Sequence, residues 1–133
     1  HFPRYRSYHG CAMPLHHQIA SEWAWGADAH VATNRARYRQ KFEAVAPILS
    51  AALPTPKPDA GFYLWPQTPV EDERFAQTVF ERVGVSLLPG SYLARETATG
   101  NPGAMRVRIA LVAELAQCVE AAERIAECLR QGW

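Results

Sequence analysis

The sequence of 133 residues is 48% hydrophobic and 20% charged, and its 14 basic and 13 acidic side chains leave a formal net charge of +1. A chain of this size can bury a core without disulfide or metal support, so we expect one soluble globular domain over residues 1–133. The balanced charge offers no broad surface to nucleic acid, and no apolar run approaches the roughly 18 residues of a membrane span. We therefore expect neither a nucleic-acid partner nor a membrane partner.

The first residues and the cysteines bear on the origin of the chain. It begins with His1 rather than Met and has no apolar secretory segment, so we expect a fragment of a longer protein. Its three cysteines, Cys11, Cys118 and Cys128, show no C-x-x-C spacing. An odd number of cysteines without such spacing favours a reducing compartment, and we expect the protein in the cytoplasm.

Two helices are predicted in the first half of the chain. The first covers residues 14–26, with a proline suited to the first turn and a glycine suited to the stop. Its apolar residues recur every four positions on a face that can be buried: Leu15, Ile19 and Trp23. The second covers residues 34–53 and ends at the prolines of residues 54–58. Pro47 inside this second pattern predicts a kink or an early stop.

Short strands alternate with a helix in the middle of the chain. Residues 61–65 and 85–88 are typical of strands, and a proline and a glycine end the second one. Between them, acidic residues 71–73 favour the start of a helix that ends at Gly84. Residues 95–103 are polar and contain glycine, which predicts a loop.

The last part of the chain predicts a strand and a long helix. Residues 105–111 alternate, so one face should pack, and its members are Met105, Val107, Ile109 and Leu111. The helix carries an apolar stripe formed by Leu115, Cys118, Val119, Ala122, Ile125, Ala126 and Leu129. Glu120 and Arg124 pair on its solvent side. The predicted class is α+β, with helices packed on a short antiparallel or mixed sheet.

Arg108 is the leading candidate for binding chemistry. It projects with Arg106 from the face opposite the packed one, and a guanidinium fork suits bidentate capture of a carboxylate. The alternative is a structural ion pair with a surface glutamate.

Other residues give weaker signals. His9, Cys11, His16 and His17 are metal-ligand types, but their spacing matches no standard site, and we expect no metal. Cys11 beside His9 lacks a recognisable third member for nucleophilic catalysis, so an inert thiol is favoured. The turn 89–91 has one glycine, which turn formation alone explains.

Aromatic residues and lysines complete the candidates. Trp23, Trp25 and the segment 62–65 could stack on a flat ligand, although a core or subunit interface is the better interpretation. The two lysines, Lys41 and Lys57, lie on a polar helix face and between prolines, and neither is placed like a buried Schiff-base lysine.

Three blocks stand out by their order and spacing: PDAGFYLW at 58–65, GVSLLPGSYL at 84–93 and MRVRIAL at 105–111. Together they resemble the C-terminal small domain of class I/II aminotransferases, the fold type I enzymes that use pyridoxal 5'-phosphate. The resemblance covers essentially the whole chain. Within that family, the segment YRSYHGCAM at 5–13 is similar to the N-succinyldiaminopimelate aminotransferases of bacterial lysine and diaminopimelate synthesis.

The resemblance implies roles for individual residues. Arg108 would bind the α-carboxylate of an amino acid or 2-oxo acid substrate, and Arg106 would be structural. The segment near a homodimer interface and the neighbouring active site would contain Tyr8, His9, Gly10 and Cys11. The Schiff-base lysine, the aspartate facing the pyridine nitrogen and most phosphate-binding groups would lie in a large domain upstream. We therefore expect no catalytic residue, no bound cofactor and no activity in this chain alone.

The implied reaction moves an amino group from glutamate to N-succinyl-2-amino-6-oxopimelate in two reversible half-reactions. Two other functions remain open. A free-standing carboxylate-binding or dimerisation module could use the face of Arg106 and Arg108 without catalysis. A metal-binding module could use His9, Cys11 and His16, and elemental analysis would detect its metal.

Overall fold

The computed structural model describes residues 4–5, 8, 10 and 12–132. The chain divides into two compact units, His1–Arg35 and Ala36–Trp133. The expectation of a single domain over residues 1–133 stays a prediction. Within the part of the chain that the structure describes, no helix is both long enough and apolar enough to cross a membrane.

The first unit contains helix α1, Leu15–Trp25, which follows Pro14 and ends at Gly26 as predicted. The helix is confirmed, but the burial of its apolar stripe is wrong. Leu15 is 70% exposed and Trp23 is 79% exposed, and α1 buries none of its residues. Regular spacing produces an apolar face, but burial also requires a surface that covers it.

Helix α2, Asp28–Ser50, is longer than predicted at its start. Asp28 in its first turn interacts favourably with the helix dipole. Pro47 lies inside the helix, which therefore does not stop at the proline itself, but the helix ends at Ser50, earlier than the predicted Leu53. The kink predicted as the alternative stays a prediction. Pro47 occupies the last turn, where its missing N–H removes one hydrogen bond, while the burial of Leu49 and Leu53 holds that turn against the core.

The second unit has a three-stranded antiparallel sheet with the order β1-β3-β2. Its strands are β1, Tyr63–Leu64; β2, Leu88–Pro89; and β3, Val107–Ala110. In the register, Leu64 lies opposite Ile109 and Leu88 lies opposite Arg108. The antiparallel alternative is therefore confirmed, with shorter strands than the sequence indicated. The end predicted for the second strand is wrong, because Pro89 belongs to β2 and pairs with Val107.

The alternation predicted for residues 105–111 is confirmed except at its first position. Val107, Ile109 and Leu111 are buried, whereas Met105 is exposed, so its predicted place on the packed face is wrong. Met105 has a positive φ of 59°. This left-handed residue makes the turn into the strand, and the period of two begins only after it.

Helices α3, Asp72–Val83, and α4, Leu115–Arg130, complete the second unit. Gly84 ends α3 in the left-handed conformation, which confirms the predicted stop. The stripe of α4 is confirmed from Cys118 onwards, but Leu115 is exposed, contrary to prediction. Glu120 and Arg124 form the expected solvent-side ion pair. The largest fully buried core side chains include Leu49, Leu64, Phe75, Val79, Val107, Leu111 and Ile125.

Candidate functional site

A cavity of about 510 Å³ opens on the face of the sheet that is not packed against the core. Its lining comes from the proline-rich segment after α2, from β1, from the 3₁₀ helix Gly90–Leu93 and from β3. The residues that line it are Pro56, Lys57, Pro58, Ala60, Tyr63, Trp65, Leu93, Arg106 and Arg108. Three of these side chains are cationic and none is acidic, so the cavity attracts anions.

Arg108 lies on the central strand and is half-buried. Its guanidinium carbon is 5.9 Å from the centre of the Tyr63 ring. Its Nε is buried and has no hydrogen-bond partner among the described residues. The ion pairs of the described chain join other residues, Arg124 to Glu120 and Arg130 to Glu127. The alternative of a structural ion pair with a surface glutamate is therefore wrong for the part of the chain that is described.

Arg106 lines the same cavity, two residues before Arg108. One of its Nη atoms donates to the Trp65 carbonyl at 3.2 Å. Its own carbonyl accepts the Gly90 amide at 2.8 Å. Arg106 thus joins the turn before β3 to the segments of Trp65 and Gly90, which fits the structural role expected for it. Its side chain also lines the cavity.

Asp72 holds the loops beside the cavity, and sequence analysis recognised it only as part of an acidic helix start. Its carboxylate is buried and accepts hydrogen bonds from the Ser91 amide at 2.9 Å, the Ser91 hydroxyl at 2.6 Å and the Met105 amide at 3.2 Å. Burial alone would raise the pKa of this carboxyl, but the hydrogen bonds outweigh burial and lower the pKa. The ionised Asp72 therefore fixes both the 3₁₀ helix and the turn that leads to Arg106.

Two glycines allow these loops to approach each other. A Cβ on Gly90 would lie 2.3 Å from the Gly103 carbonyl oxygen and 2.9 Å from the Trp65 ring. A Cβ on Gly103 would lie 2.1 Å from the Gly90 carbonyl oxygen. Neither position can accept a side chain without backbone movement, so the spacing of these glycines sets the shape of the cavity wall.

The turn 89–91 is not an anion-binding turn. The Gly90 amide donates to the Arg106 carbonyl, and the Ser91 amide donates to Asp72. Both donors are used inside the protein, which confirms turn formation as the reason for this sequence.

The histidine and cysteine candidates do not form a site in the described residues. The rings of His16 and His17 lie 4.2 Å apart in the first unit, and no described group of three His, Cys, Asp or Glu side chains is arranged to hold a metal. His9 and Cys11 lie outside the described residues, whereas Tyr8 and Gly10 are exposed. In the second unit, burial raises the pKa of the Cys118 thiol, so this thiol is not an activated nucleophile.

Lys41 and Lys57 differ in burial and in what they contact. Lys41 is half-buried on α2, where its Nζ donates to the Leu111 carbonyl at 3.0 Å and lies 5.0 Å from the centre of the Tyr38 ring. It therefore anchors the end of β3, a role that its place on a polar helix face did not reveal. Lys57 is exposed and lines the cavity, so the segment between prolines brings a cation towards Arg108.

The aromatic residues of segment 62–65 form a chain of tilted ring contacts rather than a core. Phe62 lies 5.5 Å from Tyr63, and Tyr63 lies 6.4 Å from Trp65, between ring centres. Phe62 and Tyr63 are exposed, and Tyr63 and Trp65 line the cavity. The interpretation as core is therefore wrong for Phe62 and Tyr63, whereas the alternative of a subunit interface stays a prediction. Trp23 and Trp25 are also exposed.

Comparisons with known proteins agree on one family. The sequence profile described as "Aminotransferase class I and II" matches residues 8–125. A probable aminotransferase of Mycobacterium tuberculosis H37Rv is 35% identical over 109 residues, which are 81% of this chain and 24% of that protein. The chain thus spans about a quarter of the length of this curated relative.

Solved structures show the same fold. An aminotransferase from Neisseria meningitidis Z2491 superposes with a TM-score of 0.84 at 47% identity, covering 97% of this chain and 33% of that one. A probable N-succinyldiaminopimelate aminotransferase from Thermus thermophilus superposes with a TM-score of 0.58 at 38% identity, covering 70% and 24%. The profile match covers most of the chain, and the chain belongs to the class I and II aminotransferase family.

Proposed function

We propose that this chain is the substrate-carboxylate-binding part of a pyridoxal-phosphate-dependent aminotransferase and that Arg108 binds the α-carboxylate of the substrate. The observation that carries the proposal is a half-buried guanidinium on the wall of a cationic cavity, with no carboxylate partner among the described residues. A carboxylate ligand would supply the charge and the acceptors that Arg108 lacks.

The position of Arg108 explains how it would orient a substrate. A guanidinium fork donates to both oxygens of a carboxylate at once, which fixes the direction of the bond to the α-carbon. Arg108 sits on the central strand, and the Tyr63 ring lies beside its guanidinium. Binding at this rigid position would hold the reacting carbon in one place, which is the main contribution that a binding residue makes to rate.

The described residues do not form a complete site for pyridoxal phosphate. A Schiff-base lysine needs a desolvated or charge-perturbed amine. Lys41 already donates to the Leu111 carbonyl, and Lys57 is exposed. In a complete transaminase the cofactor carries the amino group between substrates. We assign the residues that hold it to the part of the relatives that this chain does not match.

For the substrates we propose glutamate as amino donor and N-succinyl-2-amino-6-oxopimelate as acceptor. The support is the similarity to the probable N-succinyldiaminopimelate aminotransferase of Thermus thermophilus. The chain is also similar to other aminotransferases, such as the one from Neisseria meningitidis. The proposal also includes a cytoplasmic homodimer in which Tyr8, His9, Gly10 and Cys11 lie near the subunit interface.

Carboxylate binding can be tested on the 133-residue chain itself. Butyrate, a monocarboxylate, is titrated into labelled protein while amide and arginine side-chain NMR signals are followed. We expect shifts at Arg108 and Tyr63, and we expect Arg108→Gln to weaken binding at least tenfold. Arg74→Gln, on the exposed side of α3, is the charge-matched control. Equal affinity in the Arg108 variant and the wild type would refute the assignment.

Transaminase activity can be tested with a chimera. The corresponding third of the Neisseria meningitidis aminotransferase is replaced with this chain, since the two superpose over 97% of it. We expect transamination that depends on Arg108, with kcat/KM reduced by a factor of about 10² or more in the Arg108→Gln chimera. A folded dimeric chimera that binds carboxylates but transfers no amino group would favour the free-standing carboxylate-binding module instead.

A further inference from the structure

A second cavity, of about 320 Å³, opens between α3 and the segment 86–92, and we refer to it as the α3 cavity. It shares no described lining residue with the cavity of Arg108. Its described lining residues are Glu73, Ala76, Gln77, Phe80, Ser86, Leu87, Pro89 and Tyr92. Ligand pockets have volumes of roughly 300–1,000 Å³. The α3 cavity lies at the lower end of this range, so it suits one side chain rather than a large molecule.

The wall that α3 contributes combines an acidic residue with an aromatic one. Glu73, Gln77 and Phe80 follow each other at spacings of four and three, so they lie on one face of the helix. Arg74 is turned about 100° away from Glu73 around the helix axis. Among the described residues of the wall, Glu73 is the only charged side chain. The α3 cavity therefore attracts cations, whereas the cavity of Arg108 attracts anions.

The Glu73 carboxylate has an acceptor site to spare. Neither ion pair of the described chain involves it, and the Tyr92 hydroxyl donates to it at 3.1 Å. This hydrogen bond and the charge of Glu73 raise the pKa of the Tyr92 phenol, and the charge of Asp72 adds to the effect. A carboxylate has about four acceptor sites, so Glu73 can bind a cation while it holds Tyr92.

Two exposed aromatic rings line the α3 cavity together with this carboxylate. Phe80 is 58% exposed and Tyr92 is 65% exposed. The face of an aromatic ring attracts a cation that lies within about 6 Å of its centre. A guanidinium suits these groups better than an ammonium, because it is planar, stacks on a ring and can donate two hydrogen bonds to one carboxylate. Arginine is also among the residues that contribute most to binding at protein interfaces.

We propose that the α3 cavity is a docking site for an arginine side chain of a partner protein, whose guanidinium pairs with Glu73 and stacks on the rings of Phe80 and Tyr92. Ser86 lies exposed on the other wall and forms no hydrogen bond with any described residue. Its hydroxyl can therefore bind the main chain beside that arginine. Docking here is independent of carboxylate binding by Arg108, because the two cavities have no described residue in common.

The test is an NMR titration of the 133-residue chain, at fixed ionic strength, with the capped tripeptide acetyl-Gly-Arg-Gly-amide. The comparison peptide contains citrulline, which has nearly the shape of arginine but no charge. We expect shifts at the Phe80 and Tyr92 rings, and at least fivefold tighter binding of the arginine peptide. Glu73→Gln and Phe80→Ala should each weaken its binding at least threefold. Glu43→Gln, at an exposed position of α2, is the charge-matched control and should leave binding unchanged.

Three results would overturn the docking site. The first is equal affinity for the arginine and citrulline peptides, or unchanged affinity in both variants. The second is an equal loss in Glu43→Gln, which would show a general charge effect. The third is equally tight binding of butylguanidinium, which has no main chain and would indicate a site for a free organic cation. If Phe80→Ala fails to fold, Glu73→Gln decides the question, because it removes the charge and keeps an acceptor for Tyr92.

Discussion

Replacing Asp72 with alanine tests whether one buried carboxylate holds the loops of the cavity. The substitution removes the acceptor of two backbone amides and one hydroxyl, from Ser91 and Met105. The hydroxyl can rotate towards another acceptor, but the two amides lose theirs in a partly buried place, at about 1–2 kcal/mol each. We expect the free energy of unfolding to fall by about 2–4 kcal/mol at neutral pH.

The pH dependence identifies the ionised carboxylate as the cause. The pKa of Asp72 is lowered from its usual 3.8 in the folded protein, so its stabilisation is present above that value and is lost as the pH falls through the lowered pKa. The difference between the wild type and Asp72→Ala should therefore be largest near pH 7 and should shrink below about pH 4.

Urea unfolding followed by tryptophan fluorescence measures this difference. We expect the midpoint for Asp72→Ala to be lower by about 1–2 M at pH 7, with an unchanged slope. Glu43→Ala, at an exposed position of α2 where the described residues form no hydrogen bond or ion pair with the side chain, is the matched control and should keep the wild-type midpoint. A loss in Asp72→Ala that is the same at pH 3 and pH 7 would refute the role of the charge.

Further predictions concern packing. Gly90→Ala should destabilise the protein by more than about 2 kcal/mol, because its Cβ would lie 2.3 Å from the Gly103 carbonyl oxygen. Gly26→Ala is the control, because its Cβ would have only ordinary contacts from 3.5 Å, and it should unfold at the wild-type urea concentration. An equal loss of stability in the Gly90 and Gly26 variants would contradict the close approach of Gly90 and Gly103. Phe75→Ala should cost about 3–5 kcal/mol, because Phe75 is fully buried. Phe80→Ala on the same helix should cost less than about 1 kcal/mol, since Phe80 is 58% exposed, and a reversed order would contradict the packing of α3.

The place of Arg108, the candidate binding residue, could be predicted because it follows from the alternation along one strand. Alternation placed Val107 and Ile109 in the core and therefore placed Arg108 on the open face, where the structure has it. The same period failed at Met105, because a positive φ there cannot be read from hydrophobic spacing.

The residues that complete the site were not readable, because their partners are distant in the sequence. Asp72 contacts Ser91 and Met105, which are 19 and 33 positions away. Lys41 contacts the Leu111 carbonyl across 70 positions. From local composition, Asp72 and Lys41 could only be interpreted as surface residues. Neither periodicity nor spacing contains information on which loops meet in the folded chain.

The sequence alone determined the α+β class, the long last helix and the place of Arg108, because these depend on local propensity and on periodic burial. Only the tertiary structure decided that Lys57 and Arg106 share the cavity of Arg108, that Gly90 and Gly103 touch, and that the stripe of α1 stays exposed in its unit. Those features depend on which segments approach each other in space. That is set by the packing of the whole chain and not by any one segment.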